Sequence, residues 1–424
     1  MNDIENIIIL GGIILAVILL IVIIWIVYYV RNILPIKRRR RFFQQIFYSI
    51  KFKSVDGSLP YYIKETRISE YALSIAFNTL IPLKVWLARK DILEMSMNYK
   101  IIDIKQSESY KRFIYVIVEI QELPTEIIWE DEYIPQGNKF NIGVCYYGDI
   151  ILDIEKHPHA FVAGESGSGK SNILKCLIHQ AIIKRYDVIL IDFKRGVSFT
   201  DFRDKVTIYY EYKEVIQVLK KLVDETIYRL DMFRVRNVDN LNDYVRISKI
   251  PMSRKIVFID ELAELLKTRD KTISTILCDS IETLTRLARA VGIHLIMGIQ
   301  RPDSTVINGQ IKSNVSYRLC GHFVDREPSR IMLGTEVAST LPNIKGRFIV
   351  KDNEIQELQC FRFYRPYRAK QAVENDIPSA SENDVQEAEA EVNNAKIEKP
   401  KKDMENVSEN EFEFDFSDFK KKNK

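Results

Sequence analysis

The most strongly apolar segment of the chain lies near its start. Residues 7–30 include 24 positions and no charged side chain. As a helix, at about 1.5 Å per residue, this segment would extend roughly 36 Å, which is enough to cross the hydrocarbon core of a bilayer at about 30 Å. The pattern therefore predicts a transmembrane helix, and its length argues against the alternative of a buried core helix.

The charges on either side of this segment predict its orientation. Asp3 and Glu5 precede it, whereas the following residues are basic at Arg31, Lys37 and 38–41. Basic residues favour the cytoplasmic side of a membrane, so we expect a single-pass protein with its N-terminus outside and the rest of the chain in the cytoplasm. A cleaved signal peptide would have a basic head and a small-residue cleavage site instead.

A regular alternation of apolar strands and helical stretches occupies residues 143–370. The strands are predicted at 188–191, 256–259, 294–298 and 347–350, and the helices at 214–234 and 273–289. This alternation is typical of an α/β domain with a parallel sheet, whose ligands bind at the carboxyl ends of the strands.

The regions around this domain have other patterns. Residues 99–104 and 113–118 resemble two strands joined by a polar turn, and 142–152 resembles a hairpin with its tip at Tyr147. We therefore expect a linker and a small β-rich domain over 42–142, although 42–80 has no clear period. Residues 371–424 lack glycine and are rich in Glu, Asn, Lys and Ser, which predicts a disordered acidic tail.

Charge is unevenly distributed along the chain. The tail carries a net charge of −7 and the whole chain +4, so the remainder is basic at +11. A basic body permits contact with phosphate backbones but does not require it. Near the end of the tail, acidic residues alternate with Phe412, Phe414, Phe416 and Phe419. This pattern fits either a docking peptide or a passive solubilising tail.

Length and cysteine content narrow the class of protein. At 424 residues, with 46% hydrophobic and 28% charged residues, the chain can bury a large core beyond its apolar first segment. Its five cysteines are dispersed and form no C-x-x-C pair, which argues against a zinc site and against a disulfide framework.

A complete phosphate loop follows the predicted strand at 159–163. It has the pattern G-x-x-x-x-G-K-S, in which glycines let backbone N–H groups point at phosphates and the next helix adds its positive end. Lys170 would supply a point charge, and Ser171 a hydroxyl ligand for Mg²⁺. The predicted nucleotide-binding residues are Gly164, Glu165, Ser166, Gly167, Ser168, Gly169, Lys170, Ser171 and Asn172.

Two carboxylates complete the predicted chemistry. The apolar strand at 256–259 ends in Asp260 and Glu261. Asp260 is expected to hold Mg²⁺ through water, and Glu261 to orient and deprotonate an attacking water. Glu261 can equally be the N-cap of the helix that follows, and both roles can hold at once. The sequence thus predicts an enzyme that hydrolyses ATP with Mg²⁺.

Several motifs in their order along the chain resemble the FtsK/SpoIIIE family of double-stranded DNA translocases. The resemblance covers about half the chain, from roughly residue 143 to 350. Besides the phosphate loop, its motifs are Asp-Phe-Lys-Arg-Gly at 192–196, Asp-Glu-Leu-Ala-Glu-Leu at 260–265, Arg-Ala-Val-Gly-Ile-His at 289–294, Gln-Arg-Pro at 300–302 and the run at 306–314. The family's usual Gly-Asp-Met-Leu ending is replaced here by Gly-Arg-Phe-Ile at 346–349.

The resemblance implies roles that spacing alone does not give. It implies a RecA-like P-loop NTPase motor that assembles into a ring, expected to be a hexamer, on duplex DNA. Gln300 would sense the γ-phosphate, and Arg289 would be the arginine finger that reaches the ATP of the neighbouring subunit. Arg286, one helical turn away, is the alternative finger.

The most specific expectation is a coupling protein of conjugative elements in Gram-positive bacteria, similar to the TcpA group. One membrane segment and a tail without a winged-helix module favour that build over a chromosome or plasmid segregation pump. A type VII-like protein-export ATPase is a further alternative, although such proteins generally carry several ATPase modules. A non-translocating, ATP-gated scaffold that recruits a relaxase is the last. The expected partners are DNA, the membrane, further copies of the chain and, through the tail, a relaxase or channel protein.

Overall fold

The computed structural model describes residues 2–303 and 307–364. The chain begins with helix α1 (Asn2–Tyr28), a π-helical turn (Tyr29–Ile33) and helix α2 (Leu34–Ser49), which follow one another without a break. Pro35 lies in the first turn of α2. Because proline has no N–H to donate to the carbonyl four residues earlier, it explains the widened turn directly before it.

One helical stretch among the described residues is long and apolar enough to cross a membrane. It runs from Gly11 to Ser49, its most apolar window has a mean hydropathy of 3.2, and none of that window is buried. The predicted apolar helix is therefore present, and the described side chains of its apolar window face outward: Trp25, for example, is 61% exposed.

A small domain follows, built on a four-stranded antiparallel sheet in the order β1-β2-β4-β3. Phe43 and Phe47 on α2 are fully buried and pack against Phe77 and Trp86. The stretch at 42–80 therefore combines the end of α2 with the first hairpin of this domain. The elements of the small domain after α2 are β1 (Tyr61–Arg67), β2 (Ala72–Asn78), α3 (Leu83–Ala88), α4 (Lys90–Met97), β3 (Ile101–Gln106) and β4 (Phe113–Glu119).

The rest of the described chain forms a ten-stranded sheet in the order β6-β5-β14-β13-β12-β7-β11-β10-β8-β9, with helices between its strands. The strands are β5 (Lys139–Cys145), β6 (Gly148–Asp153), β7 (His159–Ala163), β8 (Asp187–Ile191), β9 (Thr207–Tyr209), β10 (Lys255–Ile259), β11 (Ile293–Ile299), β12 (Tyr317–Gly321), β13 (Arg347–Lys351) and β14 (Ile355–Cys360). The helices are α5 (Lys170–Ile183), α6 (Tyr212–Arg236), α7 (Leu241–Ser248), α8 (Leu262–Leu266), α9 (Lys271–Leu287), α10 (Gly309–Asn314) and α11 (Arg326–Leu333).

Six strands, from β12 to β9 in the sheet order, are parallel. Every residue of β7 and β11 is buried, as expected of central parallel strands covered by helices on both faces. The predicted α/β class with a parallel sheet is therefore confirmed.

The other four strands are antiparallel, and here one expectation is wrong. The strand at 347–350 was expected in the parallel set, but β13 pairs antiparallel with both β12 and β14. Three residues join β13 to β14, and a connection that short can only link antiparallel neighbours. The hairpin around Tyr147 also extends this large sheet as β5 and β6, so β5 crosses the domain boundary expected at 143.

Polar contacts join the small domain to the large sheet. The Tyr147 hydroxyl lies 3.1 Å from Asp103 Oδ2, and Lys105 pairs with Glu354 at 2.7 Å. Burial, reinforced by the neighbouring Asp103 carboxylate, raises the pKa of Tyr147, so this phenol is a hydrogen-bond donor at neutral pH. The small domain therefore contacts the large sheet at the tip of the β5–β6 hairpin and at the β13–β14 turn. The predicted acidic tail and its phenylalanines lie outside the described residues.

Candidate ATPase site

The phosphate loop connects the carboxyl end of β7 to the first residue of α5. Gly167 and Gly169 have φ angles of +87° and +110°, which L side chains rarely adopt. A Cβ on Gly169 would also lie 3.1 Å from the backbone nitrogen of Gly346, which donates to the Ser168 carbonyl at 2.8 Å. The residue directly before β13 thereby holds the loop from outside, and glycine is required at position 169 for this contact.

One side-chain oxygen inside the loop, that of Ser168, lacks a hydrogen-bond partner in the described part of the chain. The hydroxyl of Ser168 is buried and makes no hydrogen bond with any described residue. A Cβ on Gly164 would come within 2.5 Å of that hydroxyl, so the loop closes around it only because residue 164 is glycine. An unpaired donor in a loop of backbone N–H groups fits a phosphate oxygen, and these residues therefore suit the predicted nucleotide.

Lys170 is buried beside both predicted carboxylates. Its Nζ lies 3.3 Å from Asp260 Oδ1 and 3.5 Å from Glu261 Oε2, and it also donates to the Asp260 carbonyl. The Ser171 hydroxyl lies 3.3 Å from the same Asp260 oxygen. The four side chains that the sequence assigned to phosphate, metal and water therefore meet at one edge of the sheet.

Glu261 has the two roles that the sequence left open. Its Oε1 accepts the Ala263 N–H at 3.3 Å, which makes it the N-cap of α8, while Oε2 accepts the backbone N–H of Gln300 at 2.9 Å. Burial raises the pKa of Glu261, although Lys170 and these two N–H groups oppose that shift. A carboxylate held in place with a raised pKa suits a general base.

A further lysine reaches this edge. Lys194 follows β8, and its Nζ lies 3.6 Å from Asp260 Oδ2. The backbone N–H groups of Lys194 and Gly196 both donate to the Asp192 carboxylate at 3.0 Å, which shapes the turn. Sequence reasoning noted this segment as a family motif but gave Lys194 no role, because only the folded sheet brings it beside Asp260.

Arg289 lies at the opposite edge of the sheet. It is exposed, and its guanidinium lies 3.4 Å from the Glu155 carbonyl, shortly before β7 begins. The five residues of β7, at about 3.3 Å each, separate that position from the phosphate loop by roughly 16 Å. Neither Arg289 nor the exposed Arg286 joins the cluster around Lys170 of its own chain, and the arginine-finger role of either side chain stays a prediction.

Two of the predicted loop residues have structural partners. Glu165 accepts the backbone N–H of Val324 at 3.0 Å. The side chain of Asn172 donates to the Phe361 carbonyl at 3.0 Å and accepts the Phe363 N–H at 3.2 Å, so it fastens the segment after β14 to α5. Their roles in nucleotide binding stay predictions.

The fold and this edge define a P-loop ATPase of the α/β class. The family model described as the FtsK/SpoIIIE family matches residues 145–304. A solved structure of the pCW3 conjugation coupling protein TcpA, in its monomer form with ATPγS, is 32% identical, with a TM-score of 0.57, and the match covers 79% of this chain and 99% of that one. The chain therefore belongs to the FtsK/SpoIIIE family, as the motifs predicted.

More distant comparisons agree with this assignment. The chain is 30% identical over 265 residues to the DNA translocase FtsK of Staphylococcus aureus, a match that covers 54% of this chain and 33% of the relative. It therefore spans about a third of the length of such curated relatives. A structure of EssC (ATPases 2 and 3) from Geobacillus thermodenitrificans is 16% identical with a TM-score of 0.50, and its match covers 66% of this chain and 54% of EssC. At that identity the likeness shows the fold alone.

Proposed function

We propose that this protein is a membrane-anchored, ATP-driven DNA translocase that acts as a coupling protein and delivers DNA to a conjugative transfer channel. The observation that carries the proposal is the likeness to the coupling protein TcpA. It covers 79% of this chain, far more than the family match at residues 145–304, so it reaches beyond the ATPase core.

The first helix supports the membrane part of this proposal. Its apolar window is entirely unburied, which is unlike the core helix of a soluble protein. It also continues into α2, whose Phe43 and Phe47 are part of the small domain's core. Cleavage after the apolar segment would leave that core intact, but the uninterrupted helix suits a permanent anchor, with the N-terminus outside and the ATPase in the cytoplasm.

In the proposed reaction, the residues of this chain bind ATP and move one proton. Lys170 and the loop N–H groups hold the phosphates, while Glu261 takes the proton from the attacking water. Ser171 and Asp260 would hold Mg²⁺, which neutralises charge on the phosphates when it is bound. The Gln300 N–H keeps the Glu261 carboxylate in place, and its side-chain amide is proposed to sense the γ-phosphate.

Assembly into a ring, proposed as a hexamer, would supply the remaining group. Arg289 is exposed and lies roughly a strand's length from the phosphate loop of its own chain. In a ring it would extend to the ATP of the next subunit. Hydrolysis at one site would then depend on the position of its neighbour, which is the coupling that a translocating motor needs.

The proposed substrate is duplex DNA, bound largely without regard to sequence. The chain outside the tail is basic, and phosphate contacts carry no sequence information. The proposed docking of a relaxase or channel protein concerns phenylalanines at 412–419, which lie outside the described residues.

The decisive experiment measures ATP hydrolysis by the full chain in lipid nanodiscs, with and without duplex DNA. A translocase predicts strong stimulation that weakens as salt increases, together with displacement of a protein block from the duplex. Stimulation by a polypeptide instead of DNA would support an export ATPase. Negligible turnover under all conditions would support a scaffold. Glu261→Gln serves as the control for contaminating hydrolysis.

A further inference from the structure

Asp260 has an ammonium group on each side. Its Oδ1 lies 3.3 Å from Lys170 Nζ, and its Oδ2 lies 3.6 Å from Lys194 Nζ. The Asp260 side chain is only 2% exposed, whereas that of Lys194 is 41% exposed. Lys194 therefore reaches in from solvent, while Lys170 is part of the buried site.

The turn that carries Lys194 is held in shape. Asp192 is buried and accepts the backbone N–H groups of Lys194 and Gly196. Arg195 and Gly196 both have positive φ angles, of 59° and 72°. As a result Lys194 points to Asp260, and the next side chain, Arg195, points away to Tyr210, whose ring centre is 5.5 Å from the guanidinium. Such a fixed turn favours a defined task for Lys194.

We propose that Lys194 binds the terminal phosphate of ATP and so distinguishes ATP from ADP. Without nucleotide, Lys170 and Lys194 balance the charges of Asp260 and Glu261. Ser171 and Asp260 would hold a divalent cation, whose positive charge would replace that of Lys194 beside Asp260. Lys194 would then be free to pair with another anion, and the terminal phosphate of ATP held by the same loop would supply one. Lys194 is long and half exposed, so it can move by side-chain rotation alone.

The test is equilibrium binding of ATPγS and of ADP to the full chain in detergent, without DNA, by calorimetry with Mg²⁺ present. We expect Lys194→Gln to weaken the binding of ATPγS at least about tenfold and the binding of ADP less than about threefold. Arg195→Gln is the matched control, because it removes the same charge from the same turn, and both affinities should stay within about twofold. Lys194→Arg should keep most of the preference for ATPγS. With EDTA in place of Mg²⁺, the difference in ATPγS affinity between wild type and Lys194→Gln should become smaller.

Three outcomes would overturn the proposal: unchanged affinities, equal losses for both nucleotides, or tighter binding of both, which would mean that Lys194 only competes with the metal for Asp260. Thermal unfolding of Lys194→Gln without nucleotide checks that it is folded, and Lys194→Arg keeps the test valid if it is not. The proposal rests on the ATP site but not on DNA transport, so a failure to find DNA stimulation leaves it standing.

Discussion

The central parallel strands have different buried side chains at the carboxyl and amino edges of the large sheet. At the carboxyl edge, the buried Lys170 lies within ion-pair distance of two buried carboxylates, Asp260 and Glu261. At the amino edge, His159 and His294 are each 1% exposed on neighbouring strands. Burial, with a smaller contribution from Arg289, lowers the pKa of His159 to about 3, and burial also lowers that of His294 well below its ordinary value. The carboxyl edge therefore keeps a charged cluster buried, whereas the buried histidines at the amino edge stay neutral.

Both edges contain buried polar atoms without a partner among the described residues: Ser168 Oγ at one, and Nε2 of His159 and of His294 at the other. His159 Nδ1 accepts the Leu295 N–H at 3.1 Å, and His294 Nδ1 lies 3.2 Å from the Pro158 carbonyl. The histidines are thus fixed inside the sheet, whereas Ser168 belongs to a loop with exposed neighbours. An unpaired buried atom indicates a ligand site only where a ligand can reach it.

The largest expected effect concerns the charged edge. Glu261→Gln should lower steady-state ATP hydrolysis by about a thousandfold, because the amide cannot take a proton, while ATP binding persists. Phosphate release and ATP affinity are measured side by side. The control is Glu264→Gln, which changes an exposed carboxylate in α8, the short helix that Glu261 caps. Unaltered hydrolysis in the Glu261 variant would show that the charged edge binds ATP but takes its base from elsewhere.

The second prediction concerns the neutral edge. As pH falls below about 6.5, the unfolded chain binds a proton at residue 159, but the folded chain does so only near pH 3. The contribution of neutral His159 to the free energy of unfolding is therefore complete above pH 6.5. Below that pH it falls by about 1.4 kcal/mol per pH unit, to a total loss of about 5 kcal/mol. Thermal unfolding between pH 7 and 5 should show a shallower slope in His159→Gln. Equal slopes would mean that this edge tolerates charge.

How far the sequence predicts these edges depends on whether each residue stands in a recognisable local pattern. The phosphate loop and Asp260 were found because each directly follows an apolar strand, and parallel strands place their carboxyl ends together. Lys194 is 66 residues before Asp260 in the sequence. Its approach depends on the pairing of β8 with β10, which has no local signal, and on the Asp192 turn, whose sequence does not indicate that Lys194 reaches Asp260.

Two parts of the fold were missed for related reasons. Phe43 and Phe47 are one helical turn apart, but their partners Phe77 and Trp86 come some 30 to 40 residues later, so the pattern at 42–80 had no readable period. Strand β13 has the apolar composition of a parallel strand, and its direction is set by the short turn to β14 and by the pairing of β14 with β5. The composition of a strand indicates whether it is buried, whereas its direction in the sheet depends on its connections and pairing.

The third prediction concerns the unpaired Ser168 hydroxyl of the carboxyl edge, where we expect a smaller effect. Ser168→Ala should stabilise the nucleotide-free protein by about 1 kcal/mol, because it removes a buried hydroxyl without a partner, and should weaken ATP binding by about fivefold. Ser166→Ala changes an exposed hydroxyl in the same loop and should alter neither. Thermal unfolding and calorimetry measure the two effects. If the Ser168 variant binds ATP as tightly as wild type, its hydroxyl faces no phosphate.

The smallest expected effect concerns Arg289 at the amino edge and its proposed action on the neighbouring subunit. Wild-type protein is mixed in equal amounts with Glu261→Gln, or with a Glu261→Gln, Arg289→Ala double variant, and hydrolysis is expressed per wild-type subunit. Only wild-type sites turn over in either mixture, so the two differ solely in the arginine that the inactive subunits offer. If Arg289 acts on the next subunit, half of the wild-type sites lose it in the second mixture, and the rate should fall about twofold. Equal rates, with Arg286→Ala tested in the same way, would leave the amino edge as a purely structural surface.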